Sequence, residues 1–130
     1  MTAKVVDASA IVALLFDETT REVVAGNLRE AALHAPELLG FEVANACLKK
    51  MRATPHEADR LMEAFELFSQ LAIEFHATSF LNALDLAHRV KLSVYDASYL
   101  LLAASLKAEL VTLDAKMSRA YETLRISASA

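Results

Sequence analysis

The sequence contains little cysteine, glycine or proline, with one, two and two residues respectively among 130. The single cysteine, Cys47, excludes an internal disulfide framework and is typical of a protein from a reducing compartment. So few glycines and prolines exclude collagen-like and linker-rich chains, and they favour short connections between helices. A disordered chain is excluded as well, because 55% of the residues are hydrophobic and only 23% are charged.

Long hydrophobic runs are also missing. The longest uncharged segments, 8–16 and 97–106, fall well short of the roughly 20 apolar residues that span a bilayer. Residues 1–7 lack the apolar stretch of a secretory signal peptide, so we expect a cytoplasmic protein with no membrane contact. The large hydrophobic fraction then needs burial elsewhere, and an interface between subunits is the natural place for it.

The net charge of −4 gives no support for a broad basic surface that binds nucleic acid through many phosphates. A small patch at Lys49, Lys50 and Arg52, or a bound metal ion, would still neutralise a few phosphates. The charge balance therefore argues against a wide basic face and leaves a compact nucleic-acid site open.

Short apolar segments alternate with helical patterns along the chain. Strands are predicted at 4–6, 72–75, 110–113 and, near the end, 124–126. Helices are predicted to start at Asp7, at the Thr19-x-x-Glu22 capping box, near Pro36 (running to about Arg52), at Thr54, before Phe80, at Asp96 and at Asp114. This alternation favours an α/β fold: a single domain over residues 1–130, with a short, mainly parallel sheet of about four to five strands and helices on both faces.

Carboxylates stand at recurring positions in this pattern. Asp7 and Asp114 each follow a predicted strand, Asp96 follows a short apolar step, and each of the three is placed at a helix start. Because the carboxyl ends of strands line the binding crevice of open α/β sheets, Asp7 and Asp114 should lie on that edge. Glu42 is on an apolar helix, and Asn45, three residues further on, shares its helix face.

Each of these residues has an ordinary structural explanation. Aspartate is a preferred helix cap, a lone helix glutamate is usually solvated, and Ser9 and Thr112 are common local hydrogen-bonding residues. The combination is more informative, because carboxylates gathered at one edge repel each other and usually raise their pKa values or bind a cation. Oxygen ligands favour Mg²⁺ or Mn²⁺ over Zn²⁺.

Other catalytic patterns are missing. The four histidines show no ligand spacing along the sequence, so we expect surface or packing roles for them: His34, His56, His76 and His88. His56-Glu57 begins like a zincin helix, but Arg60 stands where the second histidine is needed. The chain has no Walker A, GxGxxG or GxSxG motif, and Cys47 is predicted to be a small core residue.

Four segments in order carry a family pattern: VVDAS at the start, PELLGFEVANACLK in the middle, LSVYDASYLLLAASL later and LVTLDAKM near the end. In these segments and their spacing the chain resembles the PIN (PilT N-terminal) domains, and among them the VapC-type toxins of toxin–antitoxin pairs. The resemblance covers essentially the whole chain. Many relatives have a glycine shortly before the YDA motif, where this chain has residues 90–93, Val-Lys-Leu-Ser. We therefore expect a changed loop with no loss of acidic ligands.

The resemblance also assigns site residues. The acidic cluster of the family falls on four residues: Asp7, Glu42, Asp96 and Asp114. Polar residues of the same motifs, expected to orient carboxylates or waters, are Ser9, Asn45 and Thr112. The first, third and fourth acids would hold Mg²⁺ or Mn²⁺ directly, and Glu42 would bind directly or through water.

The activity that the resemblance implies is metal-dependent endoribonuclease cleavage. A metal-activated water would attack phosphorus in line and leave a 5′-phosphate and a 3′-hydroxyl. The family also implies a homodimer and a cognate VapB-type antitoxin, whose C-terminal segment covers the site and brings a basic side chain into it.

Three functions stay open at this point. One is a toxin endoribonuclease. Another is a PIN-type nuclease with a housekeeping role in RNA processing, which shares the chemistry and differs in biology. The third is a catalytically silent PIN-like module that binds RNA or protein, which the presence of all four acids disfavours. A phosphorylated receiver-like domain would need paired acids near the first strand, where only Asp7 stands.

Overall fold

The computed structural model describes residues 1–17 and 19–129. Its strands are β1 (Thr2–Val6), β2 (Ala31–Pro36), β3 (Ile73–His76) and β4 (Glu109–Val111). Its α-helices are α1 (Ala8–Phe16), α2 (Arg21–Leu28), α3 (Leu39–Ala53), α4 (Ala58–Glu66), α5 (Phe80–Val90), α6 (Val94–Leu106) and α7 (Ala115–Ser129). Two short 3₁₀ turns flank α4, at Pro55–Glu57 and Leu67–Gln70.

The four strands form one parallel sheet in the order β3-β2-β1-β4. The register sets Val5 beside His34 on one side and beside Leu110 on the other. Both neighbours of β1 run in the same direction, so connections cross over through helices, as parallel sheets require. The predicted α/β class and mainly parallel sheet are confirmed.

The core lies on both faces of β1. Val5 and Val6 are both fully buried, and successive side chains of a strand point to opposite faces, so both faces are covered. Helix α6 packs against β1, β2 and β4, while α1 packs against α2, α3 and α4. Cys47 is buried in the way predicted, and its thiol lies 3.6 Å from the Leu61 carbonyl oxygen. No helix within the described ranges is long and apolar enough to cross a bilayer.

Strand β2 was not predicted, and Pro36 ends this strand instead of opening a helix. The segment Ala31–Pro36 has no β-branched residue, so it lacks the usual strand signal. It becomes a strand because it pairs with β1 on one side and β3 on the other. Helix α3 begins only at Leu39, after a turn. Tertiary pairing here overrides local preference.

The predicted last strand at 124–126 is wrong, because these residues belong to helix α7. Met117, Ala120, Tyr121 and Leu124 recur at the helical spacing i, i+3, i+4, i+7, and all four pack against the core. Helix α7 lies against α6. The sequence contained this helical period, and the apolar–charged–apolar alternation of residues 124–126 obscured it.

Three further predicted helix starts differ from the structure. At Thr54 no side-chain cap forms, and the chain makes the 3₁₀ turn Pro55–Glu57 before α4 begins at Ala58. Helix α6 begins at Val94, capped by Ser93, whose Oγ accepts the Asp96 backbone N–H at 3.0 Å, so Asp96 lies in the first turn and is not the cap. The Thr19-x-x-Glu22 capping box does not form. Instead, the Asp17 carboxylate accepts the Thr19 backbone N–H at 2.9 Å in the turn before α2.

The connection between α5 and α6 contains the position where the family often has glycine. Lys91 ends α5 there in the left-handed conformation, with φ 60° and ψ 42°. The Leu92 N–H donates to the Ala87 carbonyl at 3.2 Å and closes the helix end. A non-glycine residue in this conformation costs roughly 1 kcal/mol. The connection therefore makes a left-handed turn with a lysine at the turning position. The expectation that this loop differs from that of relatives stays a prediction.

Candidate active site

Asp7 lies where the carboxyl ends of β1 and β4 meet. It caps helix α1, and its Oδ1 accepts the Ala10 backbone N–H at 3.1 Å. Its own N–H donates to the Val111 carbonyl at 3.3 Å, which ties the end of β1 to β4. The residue is only 5% exposed. The fold therefore places a buried carboxylate at this edge of the sheet.

Two hydroxyl groups donate to the Asp7 carboxylate, one to each oxygen. Ser9 donates to Oδ1 at 2.7 Å, and Thr112 donates to Oδ2. Because both hydroxyl protons are used in this way, no hydrogen is left for the 3.3 Å contact between the two hydroxyl oxygens. These oxygens accept in turn from backbone: Leu113 N–H to Ser9 Oγ at 2.9 Å, and Asp114 N–H to Thr112 Oγ1 at 3.0 Å. The loop after β4 is thus joined to the start of α1.

These contacts leave room for one more interaction at Asp7. Its Oδ1 accepts two hydrogen bonds, from Ser9 and Ala10, and Oδ2 accepts one, from Thr112. A carboxylate offers about four acceptor positions. One lone pair on Oδ2 therefore stays open within the described part of the chain. An oriented carboxylate with an open oxygen position fits a hard cation such as Mg²⁺.

Glu42 is held by a residue that the sequence analysis missed. Tyr99 on α6 is almost fully buried, and its hydroxyl donates to Glu42 Oε1 at 2.6 Å. Burial and the neighbouring Glu42 carboxylate both raise the pKa of Tyr99, which stays a neutral donor. The signal was its position three residues after Asp96, on the same face of α6.

The other two acids lie at helix starts and are more accessible. Asp96 is half-buried in the first turn of α6. Asp114 is exposed and precedes α7, where its Oδ1 accepts the backbone N–H groups of Lys116 at 2.8 Å and Met117 at 3.3 Å. Asp114 stands at the predicted helix start, whereas Asp96 lies in the first turn of α6, three residues after its Ser93 cap.

We call the four carboxylates the acidic cluster (Asp7, Glu42, Asp96 and Asp114), and their charges repel one another. Burial raises the pKa of Asp7, against the effect of its hydrogen bonds, and the Asp114 charge raises it further. Burial also raises the pKa of Glu42, and the charges of Asp96 and Asp7 add to this effect. The pKa of Asp96 is raised by burial and by Asp114. The pKa values of Asp7, Glu42 and Asp96 are therefore each raised by the charge of at least one other acid. Negative charge is concentrated at this edge of the sheet.

The acidic cluster is nevertheless loosely spaced. Within the described residues, only one group of three histidine, cysteine or acidic side chains brings its ligand atoms within 4.8 Å of one another: His34, Glu74 and His76. Like charges on neighbouring carboxylates repel each other, which disfavours their close approach. The expectation that His34 and His76 have surface or packing roles is therefore incomplete, because these two rings meet across neighbouring strands.

Asn45 lies beside Glu42 but is not joined to the other acids. It is exposed on α3, and its side-chain amide has no hydrogen-bond partner among the described residues. It lines an open groove of about 720 Å³ together with Phe41, Glu42 and Tyr95. The walls of this groove are mainly apolar, and Phe41 is 82% exposed. The acidic cluster therefore borders an uncovered apolar surface.

Comparison with known proteins places this arrangement in a family. A model of the PIN domain matches residues 4–123. The chain belongs to the PIN domain family. Among curated PIN-domain relatives, ribonuclease VapC3 of Pyrobaculum aerophilum is 34% identical over 125 residues, covering 92% of this chain and 95% of that protein. Ribonuclease VapC9 of Mycobacterium tuberculosis H37Rv is 34% identical over 115 residues, covering 88% and 87% respectively.

Solved structures show the same PIN fold. The crystal structure of PAE2754 from Pyrobaculum aerophilum matches with a TM-score of 0.73 and 23% identity, covering 98% of this chain and 90% of that one. VapC20 of Mycobacterium tuberculosis, described as a toxin that cleaves the sarcin–ricin loop, matches with a TM-score of 0.64 and 12% identity, covering 90% and 94%. At these identities the likeness concerns the fold of this PIN domain.

Proposed function

We propose that this chain is a divalent-metal-dependent endoribonuclease, the toxin of a VapBC-type toxin–antitoxin module. The observation that carries the proposal is the Asp7 carboxylate, buried and oriented at the ends of β1 and β4 with one acceptor position open. Three further acids act electrostatically on this position or on each other. The similarity to proteins named VapC ribonucleases supports the choice of RNA as substrate.

The donor chemistry of the acidic cluster supports Mg²⁺ or Mn²⁺. In the proposal, Asp7, Asp96 and Asp114 hold the ion directly, and Glu42 binds it directly or through a water. All donors are oxygens, which these hard cations prefer. When bound, the ion would supply an activated water and neutralise charge on the phosphate. Neutralisation would also relieve the repulsion that raises the pKa values of Asp7, Glu42 and Asp96.

The protein's own residues orient these groups. Ser9 and Thr112 keep the Asp7 carboxylate in one rotamer through a hydrogen bond to each oxygen. Tyr99 positions Glu42 in the same way. Asn45 is exposed beside Glu42 in the groove, where its amide is available to orient a water or a phosphate oxygen of the RNA. Positioned carboxylates lower the reorganisation needed in the transition state.

The partners follow from the same proposal. A cytoplasmic location would bring the RNA substrate and a VapB-type antitoxin to the site. The groove bordered by Phe41 and Tyr95 supports protein contacts, because a large exposed apolar surface usually marks an interface. We propose that a homodimer contact and the antitoxin together cover this surface, and that a basic antitoxin side chain pairs with the acids.

Cleavage of total cellular RNA by the purified, antitoxin-free protein tests the proposal. Reactions contain Mg²⁺, Mn²⁺ or EDTA, and the new 5′ ends are mapped. We expect metal-dependent cuts at a few sites that Asp7→Asn abolishes and Asp85→Asn leaves unchanged. Asp85 is a matched control because it lies exposed on α5 in an ion pair with Arg89 at 3.1 Å.

Two outcomes would change the assignment. Folded protein that makes no cuts with either metal would support a catalytically silent binding module. Cuts without growth arrest on expression, and without a neighbouring antitoxin gene, would instead support a housekeeping nuclease with the same chemistry.

A further inference from the structure

Two histidines and a glutamate meet on one face of the sheet, at the β2–β3 edge. The register pairs His34 on β2 with Glu74 on β3, and His76 lies two residues after Glu74. Residues paired across parallel strands share a face, as do residues i and i+2 of one strand. We call these three side chains the histidine cluster (His34, Glu74 and His76).

Their donor atoms converge on one point. His34 Nδ1 lies 2.9 Å from His76 Nε2 and 3.0 Å from Glu74 Oε2, and His76 Nε2 lies 3.6 Å from the same oxygen. The two rings are tilted by 43° with centroids 5.1 Å apart. Three lone-pair donors therefore form a small triangle on adjacent strands.

Hydrogen bonding alone satisfies this triangle poorly. In a neutral imidazole one ring nitrogen carries the proton and the other accepts. A single proton on His34 Nδ1 can point at His76 or at Glu74, but not fully at both. One cation at the centre would satisfy all three lone pairs at once.

The geometry points to a transition-metal site, and we propose that the histidine cluster binds Zn²⁺ or a related divalent ion that cross-links β2 and β3. Two histidines and one glutamate are a known zinc donor set, which leaves a fourth position open to water. Zinc bonds of about 2.0–2.1 Å at tetrahedral angles separate the donor atoms by about 3.3 Å. The observed separations of 2.9, 3.0 and 3.6 Å lie on both sides of this value.

The burial of the cluster allows an ion to enter and stay. The His34 and His76 side chains are 15% and 28% exposed, so the strands hold both rings in place. Glu74 is 67% exposed and opens the site to solvent. Little reorganisation is needed, because the register of two paired strands already fixes the backbone under all three ligands.

This site is distinct in chemistry from the acidic cluster. Imidazole nitrogen suits Zn²⁺, Cu²⁺ and Ni²⁺, whereas oxygen-only sites suit Mg²⁺ and Mn²⁺. The expected role of the ion is structural, because β3 is a four-residue edge strand paired only with β2. The inference does not depend on the proposed ribonuclease activity.

Titration of the metal-free full-length chain with Zn²⁺, in the presence of excess Mg²⁺ to occupy oxygen sites, tests the inference. We expect one Zn²⁺ per chain by calorimetry and a rise in melting temperature of about 5 °C or more at saturation. Co²⁺ used as a probe should give the visible absorption of a tetrahedral ion. His76→Gln and Glu74→Gln should each weaken Zn²⁺ binding by more than about tenfold.

Two controls make the outcome decisive. His88→Gln, at an exposed position on α5, should bind Zn²⁺ like the wild type, and so should Asp7→Asn. Absence of stoichiometric binding would overturn the inference, and so would binding that survives both cluster variants. Binding that disappears in Asp7→Asn would show that the acidic cluster had taken up the ion.

Discussion

The acidic cluster and the histidine cluster are two polar sites of one sheet, and they differ in charge and in spacing. The acids carry like charges, and hydroxyl donors from Ser9, Thr112 and Tyr99 hold two of them, Asp7 and Glu42, in position. The histidine cluster carries a single carboxylate, and its donor atoms approach within 2.9–3.6 Å. In our proposals, a cation would draw the loosely spaced acids together, whereas strand register already brings the histidine cluster into position.

We expect the acidic cluster to affect RNA cleavage and the histidine cluster to affect the stability of the fold. The acidic cluster destabilises the metal-free fold, since burial and mutual repulsion raise the pKa values of Asp7, Glu42 and Asp96. Perturbed groups of this kind concentrate at functional sites. The histidine cluster lies on two paired strands, where a bound ion would hold the edge strand β3 in place. Variants in the two clusters should therefore affect different measurements.

The largest difference in cleavage rate is expected between two single variants, one in each cluster. Asp7→Asn should lower the rate of RNA cleavage by about a thousandfold, because one metal-holding charge contributes several kcal/mol. His76→Gln should leave the Mg²⁺-dependent rate within about twofold of the wild type. Single-site cleavage rates of both variants, with circular dichroism to check folding, make the comparison. Equal losses in both variants would contradict the division between the clusters.

Tyr99→Phe should have a smaller effect with a distinctive pH dependence. Because the Tyr99 hydrogen bond lowers the pKa of Glu42, its loss should raise that pKa further. The acidic limb of the pH–rate profile should move to higher pH, and the rate at pH 7 should fall by about tenfold. Tyr121→Phe, on α7 beside Glu109 and Glu122 and outside the acidic cluster, is the control. A uniform loss of rate with an unshifted profile would indicate a packing role only.

Glu42→Gln should stabilise the metal-free protein while it impairs cleavage. A carboxyl group whose pKa is raised by folding stabilises the fold only at acid pH, and this contribution is lost as the pH rises through its folded-state pKa. The variant should therefore melt about 2–5 °C higher than the wild type at pH 7 and at the same temperature near pH 3.5.

Excess Mg²⁺ should reverse that order, because the wild type binds the ion more tightly than the variant. Thermal melts in EDTA and in Mg²⁺ measure both parts. Glu63→Gln, exposed on α4, is the matched control, and Mg²⁺ should change its melting temperature as much as that of the wild type. If Glu42→Gln were destabilising at pH 7 in EDTA, repulsion within the acidic cluster would not be the dominant effect.

The smallest effect is expected outside both clusters. Lys91→Gly should raise the free energy of unfolding by up to about 1 kcal/mol, since glycine adopts the left-handed conformation without a steric penalty. Lys49→Gly, within helix α3, should lower it by about 1 kcal/mol. Urea unfolding gives both values. RNA cleavage and Zn²⁺ binding should be unchanged in Lys91→Gly, and a loss of stability in this variant would show that the lysine side chain compensates for the strain.

The acidic residues could be predicted because their signals are local. Asp7 follows the β-branched pair Val5-Val6, and Asp114 follows Val111-Thr112-Leu113. Each marks the end of a strand and the start of a helix within a few residues. The parallel sheet then brings these ends to one edge. The assignment of all four acids to one cluster also used the family resemblance, and their metal-binding roles stay a prediction.

The contacts that could not be predicted join distant parts of the chain. The Tyr99–Glu42 hydrogen bond links residues 57 positions apart, and the His34–His76 contact links residues 42 positions apart. Strand β2 has weak local preference and forms only when β1 and β3 flank it. Spacing along the sequence does not show which histidines become neighbours, because strand register decides it.

The hydrogen bond from Thr112 to Asp7 spans 105 positions of a 130-residue chain. Ser9 and Ala10 donate to Oδ1 from nearby in the chain, but the Oδ2 donor arrives only when the loop after β4 docks beside β1. Any local unfolding that releases this loop should therefore leave the Asp7 carboxylate without its second oriented oxygen. The hydrogen bond makes the geometry of Asp7 dependent on the completion of the sheet.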